Sequence, residues 1–266
     1  MPEGDILRRT AATLDRGLAG QVVVRCELRW PSAAGVTFEG RVVLGTLPYG
    51  KHLLTRFDDG RTLHTHLRME GYWRVVPTRS PASRAAGPNV RAVLGTADST
   101  AVGHKLGMLD VVPTNQEHTL IGHLGPDVLA DDFPTVGLAE AVARWAERGV
   151  APVAEVLLDQ TVAAGIGTIY AAESLHARRL WPWTPADRTD AATLLMTARL
   201  LMARSVAARS PTATGETAPG MGTQVHGRHL RPCRRCGTPV AVGHARRPPM
   251  ERPIFYCPTC QAPAQP

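Results

Sequence analysis

The chain has 266 residues, 44% of them hydrophobic, and its formal net charge at neutral pH is +7. This length is enough for two or three domains with separate cores. No apolar run approaches the roughly 20 residues that span a membrane, and the N-terminus lacks the apolar segment of a secretory signal, so we expect a cytoplasmic protein. A sequence pI of about 9.6 favours anionic partners.

The first residues, Met1-Pro2-Glu3-Gly4-Asp5, combine groups that suit amine chemistry. A small second residue normally permits removal of the initiator methionine, which would expose the secondary amine of Pro2. An α-amino group titrates near ~7.7–8.0, and Glu3 places a carboxyl beside it as a general acid or base. Such an amine can attack a carbonyl-level carbon and form an iminium ion, which promotes elimination. Alternatively, Pro2 only begins a helix.

The N-terminal half is predicted to be a helix followed by an antiparallel sandwich of strands. Leu7, Ala11, Leu14 and Leu18 share one face of a helix. Period-two alternation then predicts strands at 22–30, 36–38, 42–46, 52–57, 62–67, 72–76, 91–94 and 108–112. Residues 58–60, Asp-Asp-Gly, favour a hairpin turn, and 78–89 are expected to form a loop. Cys26 alternates with apolar residues, which predicts a buried strand position.

The second half is predicted to be mainly helical. The pattern favours helices at 138–148, 152–159, 169–177 and 188–208, and a linker rich in Gly, Pro, Thr and Ser at 210–224. A glycine-punctuated turn within residues 160–170 opens onto the third helix. Backbone amides at such a helix start form a ready anion site, although a plain interhelical turn has the same pattern.

The C-terminal module carries two Cys-x-x-Cys pairs, Cys233 with Cys236 and Cys257 with Cys260, separated by 20 residues. Four thiolates in this spacing can close a tetrahedral zinc site, and they leave no open position for catalysis. Residues 226–266 contain seven arginines and a single acidic residue, Glu251. Guanidinium groups suit contact with phosphate, whereas each arginine taken singly is equally a solvated surface charge; those between the pairs are Arg246, Arg247 and Arg252.

These motifs, in this order, resemble the formamidopyrimidine-DNA glycosylase/endonuclease VIII family, most closely the actinobacterial second type of endonuclease VIII. The resemblance implies that Pro2 is a Schiff-base nucleophile and Glu3 its proton donor. It implies that Lys51, at the head of a strand, assists elimination and contacts phosphate. Met69 would fill the gap left by an everted base, and Arg252 would grip the phosphate at the lesion and assist δ-elimination.

The resemblance also implies DNA contacts that this chain makes with altered residues. Gly167 and Thr168 occupy the place of the family's phosphate-binding turn, where the family usually has asparagine rather than threonine. Lys105 and Leu106 lie in a loop that corresponds to the intercalating loop of formamidopyrimidine enzymes, and Leu106 is the candidate wedge. The family's second carboxyl near the N-terminus is absent, because position 6 is Ile6.

The implied fold is an α+β multidomain protein. An N-terminal β-sandwich catalytic domain with flanking helices would span 1–124, a helix–two-turn–helix domain with its linker 125–224, and a zinc-finger hairpin 225–266. The implied function is a monomeric, nucleoid-associated, bifunctional DNA glycosylase and AP lyase that removes oxidised bases, pyrimidines in preference, and binds one structural Zn²⁺. Two alternatives are a DNA-binding protein of this fold without catalysis and an enzyme that uses N-terminal proline as a base on a small ketone.

Overall fold

The structure is a computed structural model that describes residues 2–246 and 250–263. Met1 and Arg247, named above, lie outside these ranges. Contacts between residues divide the chain into two compact units. The first unit comprises Pro2 and Ile6–His123, and the second comprises Glu3–Asp5 and the residues from Leu124 onwards. The division into three domains stays a prediction.

The first helix, α1, spans Gly4–Leu18. Leu7, Ala11, Leu14 and Leu18 are at most 2% exposed, which confirms the predicted apolar face. A short helix, α2, spans His118–Ile121 at the end of the first unit. Short 3₁₀ turns occur at Pro31–Ala33, Pro81–Arg84 and Thr114–Gln116.

The strands of the first unit are β1 (Arg25–Leu28), β2 (Val43–Tyr49), β3 (His52–Phe57), β4 (Arg61–His66), β5 (Tyr72–Pro77), β6 (Val90–Gly95), β7 (Ser99–His104) and β8 (Met108–Pro113). Within the described residues, they form two four-stranded antiparallel sheets, with orders β1-β6-β7-β5 and β2-β3-β4-β8. One hydrophobic core joins them to α1, and in it the rings of Phe38 and Phe57 stack with centroids 3.7 Å apart. This arrangement confirms the predicted sandwich.

Three predictions for the first unit were wrong in detail. Residues 36–38 form no strand. They lie in a loop that follows the turn at Pro31–Ala33, and Phe38 extends from this loop into the core. Strand β7 was missed because its small residues, with Thr100–Gly103 buried in succession, show no alternation. Cys26 lies in β1 but is only half-buried, and burial raises the pKa of its thiol.

The second unit begins with helices packed around their own core. Helix α3 spans Leu138–Ala146, α4 Val153–Leu157, α5 Thr168–Ala177 and α6 Ala191–Ala207, with a 3₁₀ turn at Ala186–Arg188. The helix predicted at 188–208 starts later because Asp190 is its N-cap, accepting from the backbone N–H of Thr193 at 3.0 Å. None of the helices among the described residues is both long and apolar enough to cross a membrane.

A two-stranded antiparallel hairpin completes the second unit. Strand β9 (Ala241–Ala245) pairs with β10 (Arg252–Tyr256). Trp183 packs against this hairpin, and its Nε1–H donates to the His244 carbonyl at 3.1 Å. The Trp183 ring lies so close to Gly243 that a Cβ at position 243 would be 2.4 Å from the ring. Glycine is therefore required at position 243 by packing rather than by backbone conformation.

Candidate active site and metal site

The carboxylate of Glu3 sits on the N-terminus of α5. The backbone N–H groups of Gly167 and Tyr170 donate to its Oε2 at 2.8 and 3.3 Å, and that of Ile169 donates to Oε1 at 2.8 Å. Glu3 is 1% exposed. Three amide donors and the positive end of a helix form a site complementary to a carboxylate anion. The candidate proton-transfer group is thus fixed in one position.

Gly167 makes this approach possible. Its φ of −127° is open to any residue, so backbone strain plays no part. A Cβ at this position, however, would lie 2.4 Å from Cδ and 2.6 Å from Oε1 of Glu3. The glycine is needed because its missing side chain leaves the space that the carboxylate occupies.

This contact corrects the predicted anion site. The pattern predicted an anion site for DNA phosphate on the amides at the start of this helix, but three of those amides bind the protein's own Glu3. A further backbone bond, from Gly4 N–H to the Gly165 carbonyl at 3.0 Å, holds the chain there. The side chain of Thr168 is half-buried, and its contact with phosphate stays a prediction.

A second buried carboxylate, which was not among the predicted site residues, lies two residues further on. Asp5 is 3% exposed and accepts from the hydroxyls of Tyr170 at 2.6 Å and Ser205 at 2.5 Å. Burial and then the charge of Asp5 raise the pKa of Tyr170, so its hydroxyl remains a donor. Asp5 therefore joins the segment Glu3–Asp5 to α5 and α6 within the second unit. An acidic residue in a first helical turn was the only sequence signal.

In the first unit, Lys51 lies in the tight turn between β2 and β3, where Gly50 has a φ of +55°. Behind it a chain of polar side chains crosses three strands. His52 Nδ1 lies 2.8 Å from His64 Nε2, and His64 Nδ1 lies 3.1 Å from Asp110 Oδ2. Because the carboxylate of Asp110 accepts, His64 carries its proton on Nδ1 and accepts from His52.

The imidazoles near Lys51 are held neutral. Burial, followed by the neighbouring His66 and His64, lowers the pKa of His52 to about 3. Burial, Arg68, His64 and the charge of Lys51 lower the pKa of His66 to about 4. These values lie far below the unperturbed histidine value of about 6.5. Lys51 and Arg68 thus lie near rings that are uncharged at neutral pH.

We expect this cluster to make folding sensitive to mild acid. Below about pH 6.5 the unfolded chain protonates these histidines while the folded protein does not, so stability falls as pH drops towards the folded pKa values. The measurement is the denaturant midpoint at about pH 7.5 and about pH 5.5, a window above ordinary carboxylate titration. The double variant His52→Phe/His66→Phe should lose less stability across this window than the wild type. An equal loss in both proteins would contradict the assignment.

The predicted DNA-contacting residues of the first unit differ in exposure. Met69 is 64% exposed, as a wedge into a base stack requires, and its role stays a prediction. Lys105 is exposed and pairs with Glu70, Nζ to Oε2, at 2.7 Å. Leu106 corrects the prediction of a second wedge. It is 2% exposed and packs in the core of the first unit, its side chain against Gly103.

Arg252 is the first residue of β10 and pairs across the hairpin with Ala245. It therefore lies at the end of the strand next to the hairpin turn. Its Nη1 donates to the Glu251 carbonyl at 3.1 Å. The phosphate contact implied for this guanidinium stays a prediction.

The four predicted metal ligands come together at the other end of the hairpin. The sulfur atoms of Cys233, Cys236, Cys257 and Cys260 all lie within 4.8 Å of one another, and none forms a disulfide. Two of the sulfur separations are 3.4 and 4.0 Å, near the about 3.8 Å that tetrahedral Zn–S bonds produce. The cluster therefore fits a tetrahedral thiolate-bound ion.

Comparisons with known proteins agree with this geometry. Residues 1–108 match the sequence model of the formamidopyrimidine-DNA glycosylase N-terminal domain. The chain is 41% identical to probable endonuclease 8 2 of Streptomyces coelicolor, over 98% of this chain and 94% of that protein. It is 36% identical to the DNA-(apurinic or apyrimidinic site) lyase Nei2 of Mycolicibacterium smegmatis, over 98% and 99% respectively.

Solved structures share the whole fold. The MutM (Fpg) protein of Thermus thermophilus superposes with a TM-score of 0.76 at 28% identity, over 99% of this chain and all of that one. Lactococcus lactis formamidopyrimidine-DNA glycosylase, bound non-covalently to DNA with an AP site, superposes with a TM-score of 0.79 at 21% identity. The match covers 98% of this chain and 100% of that one. The resemblance inferred from the sequence and the predicted fold class are confirmed: this chain belongs to the formamidopyrimidine-DNA glycosylase/endonuclease VIII family, and the relatives at 36–41% identity lie in its actinobacterial endonuclease 8 2 branch.

Proposed function

We propose that this chain is a bifunctional DNA glycosylase and AP lyase of base excision repair that removes oxidised bases, pyrimidines in preference. One observation carries the proposal: the residue directly after Pro2 is a buried glutamate whose carboxylate three backbone amides hold in place. A nucleophilic amine with a positioned proton-transfer group beside it is the minimal apparatus for Schiff-base chemistry.

The proposed reaction begins with the Pro2 amine in the chain without Met1. Its nitrogen bonds to C1′ of the damaged nucleotide while the glycosidic bond breaks. The Glu3 carboxylate accepts the proton that the amine loses and passes it to the departing base. The C1′–O4′ bond then breaks, O4′ takes a proton from water, and the iminium that forms acidifies the C2′ proton. Its removal breaks the C3′–O bond, and a second elimination breaks the C5′–O bond. Lys51 and Arg252 are proposed to assist these eliminations and to hold the flanking phosphates.

The partner is proposed to be damaged or abasic DNA, bound by a monomer in the cytoplasm at the nucleoid. The charge of +7 and the DNA-bound relative support this partner. Met69 would fill the space of the everted base, with Lys105 and Thr168 at phosphates. Cys233, Cys236, Cys257 and Cys260 would hold one Zn²⁺, which would cross-link two turns of the hairpin and take no part in the chemistry.

A second candidate is a damaged-DNA-binding protein of the same fold without catalysis. Thr168 favours this candidate because the family usually has asparagine at this position. A hydroxyl offers one hydrogen-bond donor and an asparagine amide offers two, so the contact with phosphate would be weaker than in active members of the family. The alternative of an enzyme that uses Pro2 as a base on a small ketone explains neither the cysteine cluster nor the similarity to a DNA lyase.

Covalent trapping decides between glycosylase and binding protein. Borohydride is expected to reduce the iminium and link the wild-type protein to duplexes that contain an abasic site, dihydrouracil, thymine glycol or 8-oxoguanine. Yields on the three damaged bases would rank the lesions, with the pyrimidines first. Pro2→Gly, or protein that retains Met1, should lose trapping about 10²-fold or more, because the secondary amine is gone. Undiminished trapping with Met1 demonstrably retained would rule out Pro2 as nucleophile, and no trapping by the wild type would favour the binding protein.

A further inference from the structure

Helix α5 is anchored along its length by contacts within the second unit. Its first turn binds the Glu3 carboxylate, as described above. Further along the helix, Glu173 is 3% exposed and accepts three backbone N–H groups. These are Gln224 to Oε2 at 2.8 Å, and Val225 and His226 to Oε1 at 2.9 Å each. Glu173 thereby fixes the segment that leads into the first cysteine pair.

The last turn of α5 reaches the cysteine cluster itself. His176 is 1% exposed, and its Nε2 lies 3.6 Å from Cys233 Sγ. Arg235 reinforces the contact from the other side. Its Nη1 donates to the His176 carbonyl at 3.0 Å, and its backbone N–H donates to Cys233 Sγ at 3.4 Å. The cysteine sulfur thus faces one donor from its own turn and one imidazole from the helix.

The direction of the imidazole contact follows from the state of the sulfur. A thiolate that binds a metal ion carries no hydrogen, so it can only accept. His176 must then hold its proton on Nε2 and donate it to Cys233. Two N–H donors on one thiolate withdraw part of the negative charge that four thiolates concentrate around a divalent ion. Partners of this kind, beyond the ligands themselves, typically change metal affinity about 10–100-fold.

We propose that His176 is a positioning residue of the metal site: its Nε2–H donates to Cys233, retains the metal, and ties the metal hairpin to the helix whose first turn holds Glu3. The inference rests on the proposed zinc site, and it concerns how the chain holds the ion rather than what the protein catalyses.

The test measures zinc affinity by competition with a chromophoric chelator on the full-length protein. His176→Phe keeps a ring of similar size and removes the donor, so zinc affinity should fall about 10–100-fold. His176→Gln places an amide N–H near the position of Nε2 and should recover most of the affinity. His229→Phe is the matched control, because His229 is exposed in the same module and should leave affinity unchanged.

A second measurement needs no variant. Two-bond ¹H–¹⁵N correlations of the zinc-loaded wild type distinguish the two imidazole tautomers, and His176 is expected to carry its proton on Nε2. A proton on Nδ1, or a His176→Phe variant that binds zinc as tightly as the wild type, would overturn the inference even if the other variants failed to fold. A wild type that holds no zinc would instead defeat the metal assignment itself, which keeps the two failures distinct.

Discussion

Gly167→Ala is expected to reduce excision of a damaged base about 10²-fold or more, within the range that positioned proton transfer contributes to rate. The new Cβ would lie 2.4 Å from Cδ of Glu3. The backbone of the turn is held by α5, whereas a glutamate side chain can rotate, so the carboxylate and not the fold should yield. Strand nicking at a preformed abasic site should fall much less, because no base needs a proton there.

Single-turnover rates on a dihydrouracil duplex and on an abasic duplex measure this difference. Gly222→Ala is the matched control, since the atoms nearest to a Cβ at Gly222 are 3.8 Å away, an ordinary contact. Glu3→Gln should show the same division between substrates, because its amide group places N–H against the backbone donors of α5. If Gly167→Ala excised the base as fast as Gly222→Ala, the position of the Glu3 carboxylate against the amides of α5 would have no catalytic role.

Cys236→Ser is expected to abolish stoichiometric zinc binding and to weaken binding of damaged and undamaged DNA alike. The folding of small thiolate-zinc modules depends on metal binding, so the hairpin β9–β10 should lose its order. Cys236 is the suitable site because its side chain is exposed, whereas Cys233 and Cys257 are buried. A serine at 236 therefore removes a ligand without leaving a cavity in the packing.

Zinc content by elemental analysis and DNA affinity at one fixed salt concentration measure the outcome. Cys26→Ser is the control, since Cys26 lies in β1 and takes no part in the cluster. It should keep one zinc ion per chain and full affinity. A metal-free Cys236→Ser protein that bound DNA as tightly as the wild type would show that the hairpin is not a DNA-binding element that depends on metal.

Features with local causes could be predicted from the sequence. The apolar face of α1 follows from the 3.6-residue period, and β3 has the bounds that its alternation predicted, with residues 58–60 as the turn to β4. Likewise the two Cys-x-x-Cys pairs specify their own cluster, because each pair is a short turn that presents two sulfurs. In each case neighbours along the chain supply the information.

Features that depend on distant partners were decided by the tertiary structure alone. The amides at the start of α5 read as an open anion site, yet Glu3, 164 residues away in sequence from Gly167, fills it. Leu106 was the candidate wedge because its loop corresponds to the family's intercalating loop, but the sandwich buries its side chain. Asp5 carried only the signal of an acidic residue in a first helical turn and His176 carried none, since their partners Tyr170 and Cys233 come from distant segments. A helix terminus, an apolar loop residue or a single polar side chain can have several partners, and only packing in three dimensions selects one.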